Sequence, residues 1–388
     1  MEISSFAQSE IPKNSTVFTL STSSDLKILI TESIEAYPHQ DNDPSDAEEV
    51  SQDCPARFNS PHAPIIRTAI FYVKKSALAE NNVLPTDLGW KGEVQNDTIS
   101  LTMDSIRGMG VWLATFHGQF TPHPTMSIED IWDAIKVCVE YDFDRTKLKP
   151  WFADWVDRIR DEQPVKWSDA MFNRQLLFPC HFFDDAEGFK HLTRCLVYNT
   201  NMFSQIKESK PILFNRGHLT PRFVIQQLNA VREKLRTTLQ GHVSAEVDRN
   251  LQQNPCDCNE TSICVYLKEL NRIGIRPWGD TFYKSSIKEI TDRLELFDKA
   301  HIRKLNVKPC HCKFSPHCGC SISWDEVIKK ARNETLEYFE GLCLDCMRRS
   351  PRKDSKYWRP ESHQEDYDKH CRIYHGKTSW YFSFMGER

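Results

Sequence analysis

The cysteines of this chain are concentrated in its last third. Ten of the 14 lie between Cys256 and Cys371, and four lie before residue 255. The chain begins without the basic region and apolar stretch of a secretory signal, so we expect an intracellular protein, in the nucleus or the cytoplasm. In a reducing compartment, clustered cysteines indicate metal ligands before disulfides. Their spacing therefore constrains the C-terminal fold more than any other feature.

Two pairs of ligand residues near the C-terminus form the first candidate metal site. Cys343 and Cys346 are separated by two residues, a spacing that lets two thiolates bind one Zn²⁺ at tetrahedral angles. Cys371 and His375 follow at a spacing that is also common in zinc sites. The four residues predict a Cys₃His site. The competing nitrogen ligands are His363 and His370.

Three Cys-x-Cys pairs form a second candidate set. They are Cys256 with Cys258, Cys310 with Cys312, and Cys318 with Cys320, and His311 and His317 are interleaved with them. We predict a zinc bound by Cys256, Cys258, Cys318 and Cys320, with Cys310 and Cys312 as competing ligands. Each set offers at least four protein ligands, whereas a catalytic zinc keeps one position for water. The sequence therefore predicts one or two structural zinc ions.

The common catalytic motifs are missing from the sequence. It contains no H-E-x-x-H, no G-x-x-x-x-G-K-[ST] and no G-x-S-x-G. We therefore predict that the protein is not an enzyme; a metalloenzyme would need one zinc with only three protein ligands and a water. No run of about 18 apolar residues is present, so we expect no transmembrane helix and no membrane partner.

The charge distribution leaves nucleic-acid binding as the alternative function. The net charge of −4 excludes a strongly basic coat protein. The segment 348–359 nevertheless carries six cations and one anion, with Tyr357 and Trp358 among them. Such a segment is typical of an exposed loop, but it can also contact phosphates or direct nuclear import. A zinc-dependent nucleic-acid or chromatin-binding regulator is therefore the alternative.

Residue patterns predict an α+β fold. Strand-forming residues occupy 17–20, 26–30, Ile65–Val73 and 97–101. An acidic, apolar-poor stretch interrupts them and predicts a flexible insert at 40–62. Helical periodicity dominates from residue 127 onward, and the predicted N-caps are Ser127 with Asp130, Ser168, and Ser323 with Glu326. We expect Gly241 and Gly274 to end helices.

These patterns divide the chain into four parts. We predict a disordered N-terminus over 1–14, an α/β domain over 15–160, a helical extension over 161–250, and a Cys-rich, zinc-stabilised helical region over 251–388. The last boundary follows the polar stretch 246–255. It also coincides with a change in charge, because residues 256–388 hold 24 Lys and Arg against 20 Asp and Glu.

The N-terminal third resembles the BTB/POZ interaction domain. Ser24-Asp25-Leu26 matches the family's first strand element, and residues 71–78 match its second strand and short helix. Residues 97–101 and 109–118 match the third strand and the helix after it, and 128–141 and 148–159 match the final helix pair. The resemblance implies an α/β domain that pairs with itself or with a protein partner. A substrate adaptor of a cullin-type ubiquitin ligase is a further, less favoured possibility.

Most of residues 17–388 also resemble a group of fungal BTB-domain proteins with a helical middle and a cysteine-bearing tail. The matching stretches are 151–155, 224–230, 341–347 and 380–386. This resemblance implies protein–protein interaction rather than chemistry.

Overall fold

The computed structural model describes residues 15–34, 65–83, 93–95, 97–102, 105–119, 126–201, 206–207, 210, 222–253, 257–304, 322–349 and 371–373. The chain forms two compact units, Met1–Trp151 and Phe152–Arg388. Within the described ranges, every helix is too short or too polar to cross a membrane. The protein is an α+β protein in which helix predominates.

The first unit contains a five-stranded mixed sheet. Its strands are β1 (Thr16–Thr19), β2 (Leu26–Ile34), β3 (Ile65–Val73), β4 (Glu93–Gln95) and β5 (Thr98–Thr102). They lie in the order β1-β3-β2-β5-β4. The long β2–β3 pair is antiparallel, with Leu26 opposite Val73, whereas β1 runs parallel to β3 and β5 runs parallel to β2. The four predicted strand regions are confirmed; the predicted terminus 1–14 and insert 40–62 lie outside the described residues.

Three helices of this unit pack against the sheet or against one another. They are α1 (Lys75–Glu80), α2 (Ile106–Phe116) and α3 (Ile128–Tyr141). Trp112 of α2 is completely buried, and its indole N–H donates to the Ala134 carbonyl of α3 at 2.8 Å. The predicted capping box at Ser127 and Asp130 is confirmed, with both reciprocal hydrogen bonds present at the start of α3.

The second unit is helical. After α4 (Lys149–Glu162), which begins in the first unit, its helices are α5 (Pro164–Trp167), α6 (Ala170–Phe182), α7 (Ala186–Asn199), α8 (Arg222–Gln253), α9 (Asp257–Arg272), α10 (Thr281–Lys284), α11 (Ile287–Glu295), α12 (Lys299–Lys304), α13 (Trp324–Glu337) and α14 (Leu344–Arg349). A three-residue turn, 183–185, joins α6 to α7: Asp184 has a φ of +61°, and Asp185 caps α7 by accepting from the Gly188 N–H.

Residues 161–250 and 251–388 belong to the same compact unit, although the sequence suggested a boundary between them. The long helix α8 crosses that position and is held by residues that follow it. The Tyr266 hydroxyl donates to the Val243 carbonyl at 2.8 Å, and the Gln240 side chain donates to the Pro277 carbonyl at 2.7 Å. The first boundary falls at Trp151 and Phe152, inside α4, rather than near 160.

Several predicted helix ends were wrong. Helix α8 continues past Gly241 because Val243 and Val247 extend its buried stripe, and a glycine on the exposed face costs only about 1 kcal/mol. Asp169, not Ser168, caps α6. Gly274 does adopt a positive φ, of +74°, just after α9 ends.

The predicted cap at Ser323 and Glu326 does not form either. Ser323 makes no side-chain capping bond, yet α13 still begins at the next residue. Trp324 fixes this start because it is buried, stacks on Tyr266 at 4.1 Å between ring centroids, and donates its indole N–H to Ser262 at 2.8 Å.

Candidate metal centre

The chain reaches the cysteine pair by crossing closely over α7. Gly341 has a φ of +108°, and a Cβ at this position would overlap the Lys190 carbonyl of α7. The next residue is fixed as well, since the Leu342 N–H donates to the buried Thr193 hydroxyl at 2.8 Å. Glycine is required here by both its backbone conformation and the lack of space. The close crossing sets the position of Cys343.

Cys343 and Cys346 lie at the start of α14. Cys343 immediately precedes the helix, and Cys346 lies in its first turn, where both side chains are completely inaccessible to solvent. They pack with Ala186 of α7 and with Ile373. The two-residue spacing thus brings both thiols to the same side of the helix start, as the sequence predicted.

Cys371 completes a cluster of three thiols. Its Sγ lies 3.5 Å from that of Cys346, and the three Sγ atoms of Cys343, Cys346 and Cys371 all lie within 4.8 Å of one another. A disulfide needs about 2.05 Å, so these sulfur atoms are not bonded. Zn–S bonds of about 2.3 Å at tetrahedral angles put sulfur atoms about 3.8 Å apart. The cluster is therefore compatible with a metal site.

The electrostatics of the cluster suit a cation. The hydrogen bond with Cys343, burial, and the charges that Cys343 and Cys371 would carry all raise the pKa of the Cys346 thiol far above its ordinary value. The Cys346 thiol therefore stays protonated unless a positive charge lies beside it. A bound metal ion supplies that charge and deprotonates its thiol ligands.

Arg372, next to Cys371, holds two carboxylates beside the cluster. Its Nη2 donates to Asp345 Oδ1 and to Asp184 Oδ1, each at 2.8 Å. Arg348 of α14 also reaches Asp184, at 2.6 Å. Burial opposes ionisation of Asp345, but its hydrogen bonds to Arg372 outweigh burial and lower its pKa. Sequence reasoning missed these residues, although Asp345 lies inside the Cys-x-x-Cys motif and Arg372 adjoins Cys371.

The other predicted ligands lie outside the described residues. His375 and the competing His363 and His370 do so, and so do Cys256, Cys310, Cys312, Cys318 and Cys320. Cys258 belongs to helix α9, but the structure describes only its backbone. The second zinc site and the fourth ligand of the first site therefore stay predictions. The basic segment 348–359 also lies outside the described residues from residue 350 onward.

Two described cysteines show what an ordinary buried thiol looks like in this protein. Burial raises the pKa of Cys138 to about 12, and this thiol donates to the Phe143 carbonyl at 3.2 Å. Burial also raises the pKa of Cys195 to about 11, with His191 Nε2 3.2 Å from its sulfur. Neither belongs to a group of three or more described residues that could hold a metal ion.

The first unit has a separate candidate surface, a groove of about 380 Å³ between β1, β3 and α2. Phe18, 38% exposed, forms one wall and stacks on Phe71 with 4.8 Å between ring centroids. Val111 and Trp151 also line the groove. At its rim, Arg107 Nη1 donates to both carboxylate oxygens of Asp130, at 3.0 and 2.9 Å.

The outer edge of β1 adjoins this groove. All four residues of β1 are exposed, and no described strand lies beyond it. The Leu20 N–H donates to Tyr72 of β3. Because alternate residues of a strand bond to a given neighbour, the backbone groups of Val17 and Thr19 face away from β3.

The chain matches no protein-family model, no curated protein and no solved structure. The resemblances to the BTB/POZ domain and to the fungal proteins therefore stay predictions.

Proposed function

We propose that the protein is a non-enzymatic interaction protein whose sheet-bearing unit binds an extended segment of a protein partner. The observation that carries this proposal is the exposed edge of β1 beside an apolar groove. An open strand edge offers backbone hydrogen bonds to an added strand, and a neighbouring pocket accepts its apolar side chains. Val17, 45% exposed, and Phe18 lie on this edge without a charged or proline residue to block pairing.

The order of elements supports a BTB/POZ-like identity for this unit. A strand pair, β2 and β3, is followed by the short helix α1, then by strand β5 and the helices α2 and α3. That order agrees with the motifs through which the sequence resembles the family. Self-association through this unit, and the adaptor role in a cullin-type ligase, are finer proposals that depend on this identity.

We further propose that the metal of the helical unit is zinc and that its role is structural. Thiolates favour zinc over harder cations, and closed thiolate sites are typical of structural zinc. The complete burial of Cys343 and Cys346 supports a structural role because a catalytic zinc keeps a position accessible to water.

The interaction is tested by charging the groove. Phe18→Lys places a cation at the groove wall, whereas Ile66→Lys places the same charge on another exposed apolar residue, 67% exposed, in β3 but outside the β1–β3 pairing. Tagged full-length proteins are compared by quantitative capture, and the purified proteins by light scattering. We expect Phe18→Lys to lose partners, or self-association, that wild type and Ile66→Lys retain. A monomeric wild type whose captured proteins do not depend on Phe18 would contradict the proposal.

A further inference from the structure

We propose that Arg372 is the positioning residue of the metal centre, and that it ties metal binding to the order of the turn between α6 and α7. The proposal rests on the metal centre proposed above. It assigns a role to a cation that does not itself bind the metal, and to Asp184, a residue 188 positions away in sequence.

Arg372 contacts the Cys-x-x-Cys motif at the start of α14. The Arg372 backbone N–H donates to Asp345 Oδ2 at 2.8 Å, and its Nε donates to Asp345 Oδ1 at 3.0 Å. Arg372 adjoins Cys371, and Asp345 adjoins Cys346. A backbone and a side-chain hydrogen bond thus join the immediate neighbours of two thiols. They fix where the third thiol lies relative to the first two.

Arg372 also contacts the turn between α6 and α7. Arg372 Nη2 and Nη1 donate to the two carboxylate oxygens of Asp184, at 2.8 and 3.0 Å, and Nη1 also donates to the Asp184 carbonyl at 3.3 Å. Asp184 has a positive φ and a side chain that is only 10% exposed. It follows the C-terminus of α6, where a cation that binds a carbonyl is favourable. Arg372 therefore stabilises the backbone conformation of this turn.

The two contacts need the same guanidinium at the same time. A planar guanidinium with five N–H donors can bind two carboxylates at once, whereas a lysine ammonium acts as a single flexible point charge. Arg348 provides the contrast, because it reaches Asp184 in an ion pair but has none with Asp345 among the described ion pairs. Arg372 is the residue that bridges the start of α14 and the turn between α6 and α7.

The bridge makes the metal and the turn energetically dependent on each other. Metal binding holds Cys371, which places Arg372 on Asp184; an ordered turn in turn holds Arg372 and brings Cys371 to the other thiols. Such a coupling is reciprocal by thermodynamic necessity. Asp184→Asn should therefore weaken metal binding although Asp184 is not a member of the cluster of three thiols.

The test is a Co²⁺ titration of the full-length protein under reducing conditions, followed by the visible spectrum of thiolate-bound cobalt and by zinc competition. Loss of outer-shell partners typically lowers metal affinity about 10- to 100-fold. We expect that loss in Arg372→Ala, in Arg372→Lys and in Asp184→Asn. The matched control, Arg348→Ala, removes a cation from the same Asp184 carboxylate and should keep near wild-type affinity. Far-UV circular dichroism identifies any variant that fails to fold.

Hydrogen exchange provides a readout that general destabilisation does not reproduce. Adding zinc should slow exchange of the amides from Asp184 to Phe189 in wild type and in Arg348→Ala, but not in folded Arg372→Lys. Equal cobalt affinity in Arg372→Lys and wild type would overturn the role of Arg372 and leave the metal centre standing. A wild-type protein that binds neither cobalt nor zinc would overturn both.

Discussion

Gly341 is the residue whose replacement we expect to damage the metal centre most without touching a ligand. Its φ of +108° is unfavourable for any residue with a Cβ, and such strain costs about 1–3 kcal/mol. The added Cβ would also overlap the Lys190 carbonyl, a backbone atom of α7 that cannot turn aside as a side chain can. Overpacking of this kind costs about 1–3 kcal/mol more. Gly341→Ala should therefore destabilise the protein by about 2–6 kcal/mol.

A second glycine, Gly118, separates the cost of backbone strain from the cost of atomic overlap. Its φ is +68°, but no atom of the described residues lies within 4 Å of where its Cβ would be. Gly118→Ala should thus show strain alone, about 1–2 kcal/mol. Urea unfolding followed by circular dichroism measures both variants, and metal analysis measures the site. A Gly341→Ala protein as stable as Gly118→Ala, with its metal retained, would refute the close crossing that places Cys343.

Three further predictions concern separate features. Gly241→Ala should stabilise the protein by up to about 1 kcal/mol, because the glycine lies on the exposed face inside α8; a fall in the urea midpoint would contradict this. Iodoacetamide should modify the exposed Cys264 well before Cys138 and Cys195, whose pKa values burial raises to about 12 and about 11, as mass spectrometry of timed samples can check. In metal-free protein, Asp345 should stabilise the fold above its unfolded-state pKa of about 3.9, and this stability should disappear as the pH falls through its lowered folded-state pKa. Asp345→Asn should remove that part of the acid dependence of the urea midpoint, and an unchanged dependence would count against the ion pair with Arg372.

Local sequence patterns predicted the elements that depend on local chemistry. The β-branched runs identified the strands, and the Ser127–Asp130 pair identified the start of α3, because both signals act within a few residues. The prediction that α8 ends at Gly241 was wrong because the buried stripe of the helix continues beyond this residue. Tertiary packing outweighs the small cost of one exposed glycine. At Ser323 the predicted helix start was right, but the predicted capping bond does not form. The burial of Trp324 fixes the start instead.

In the metal centre, too, local sequence patterns predicted some residues and not others. Cys343 and Cys346 could be predicted because a two-residue spacing by itself brings two thiols together. The pairing with Cys371 was a hypothesis with which the geometry is compatible, since its thiol lies 3.5 Å from that of Cys346. Asp184 could not be predicted, because only the folded chain brings the α6–α7 turn to Arg372. Nor does any local pattern around Gly341 indicate that the chain crosses α7 so closely at this residue.

The metal content of the purified chain tests the central claim most directly. Full-length wild type, Cys346→Ser, Cys371→Ser and the control Cys195→Ser are purified under reducing conditions, and zinc per chain is determined by elemental analysis. We expect Cys346→Ser and Cys371→Ser each to lose one zinc equivalent relative to wild type, whatever the second cysteine set contributes, while Cys195→Ser keeps the full complement. A wild type without zinc, or a Cys371→Ser protein that retains all of it, would contradict the proposal that these three thiols hold a zinc ion.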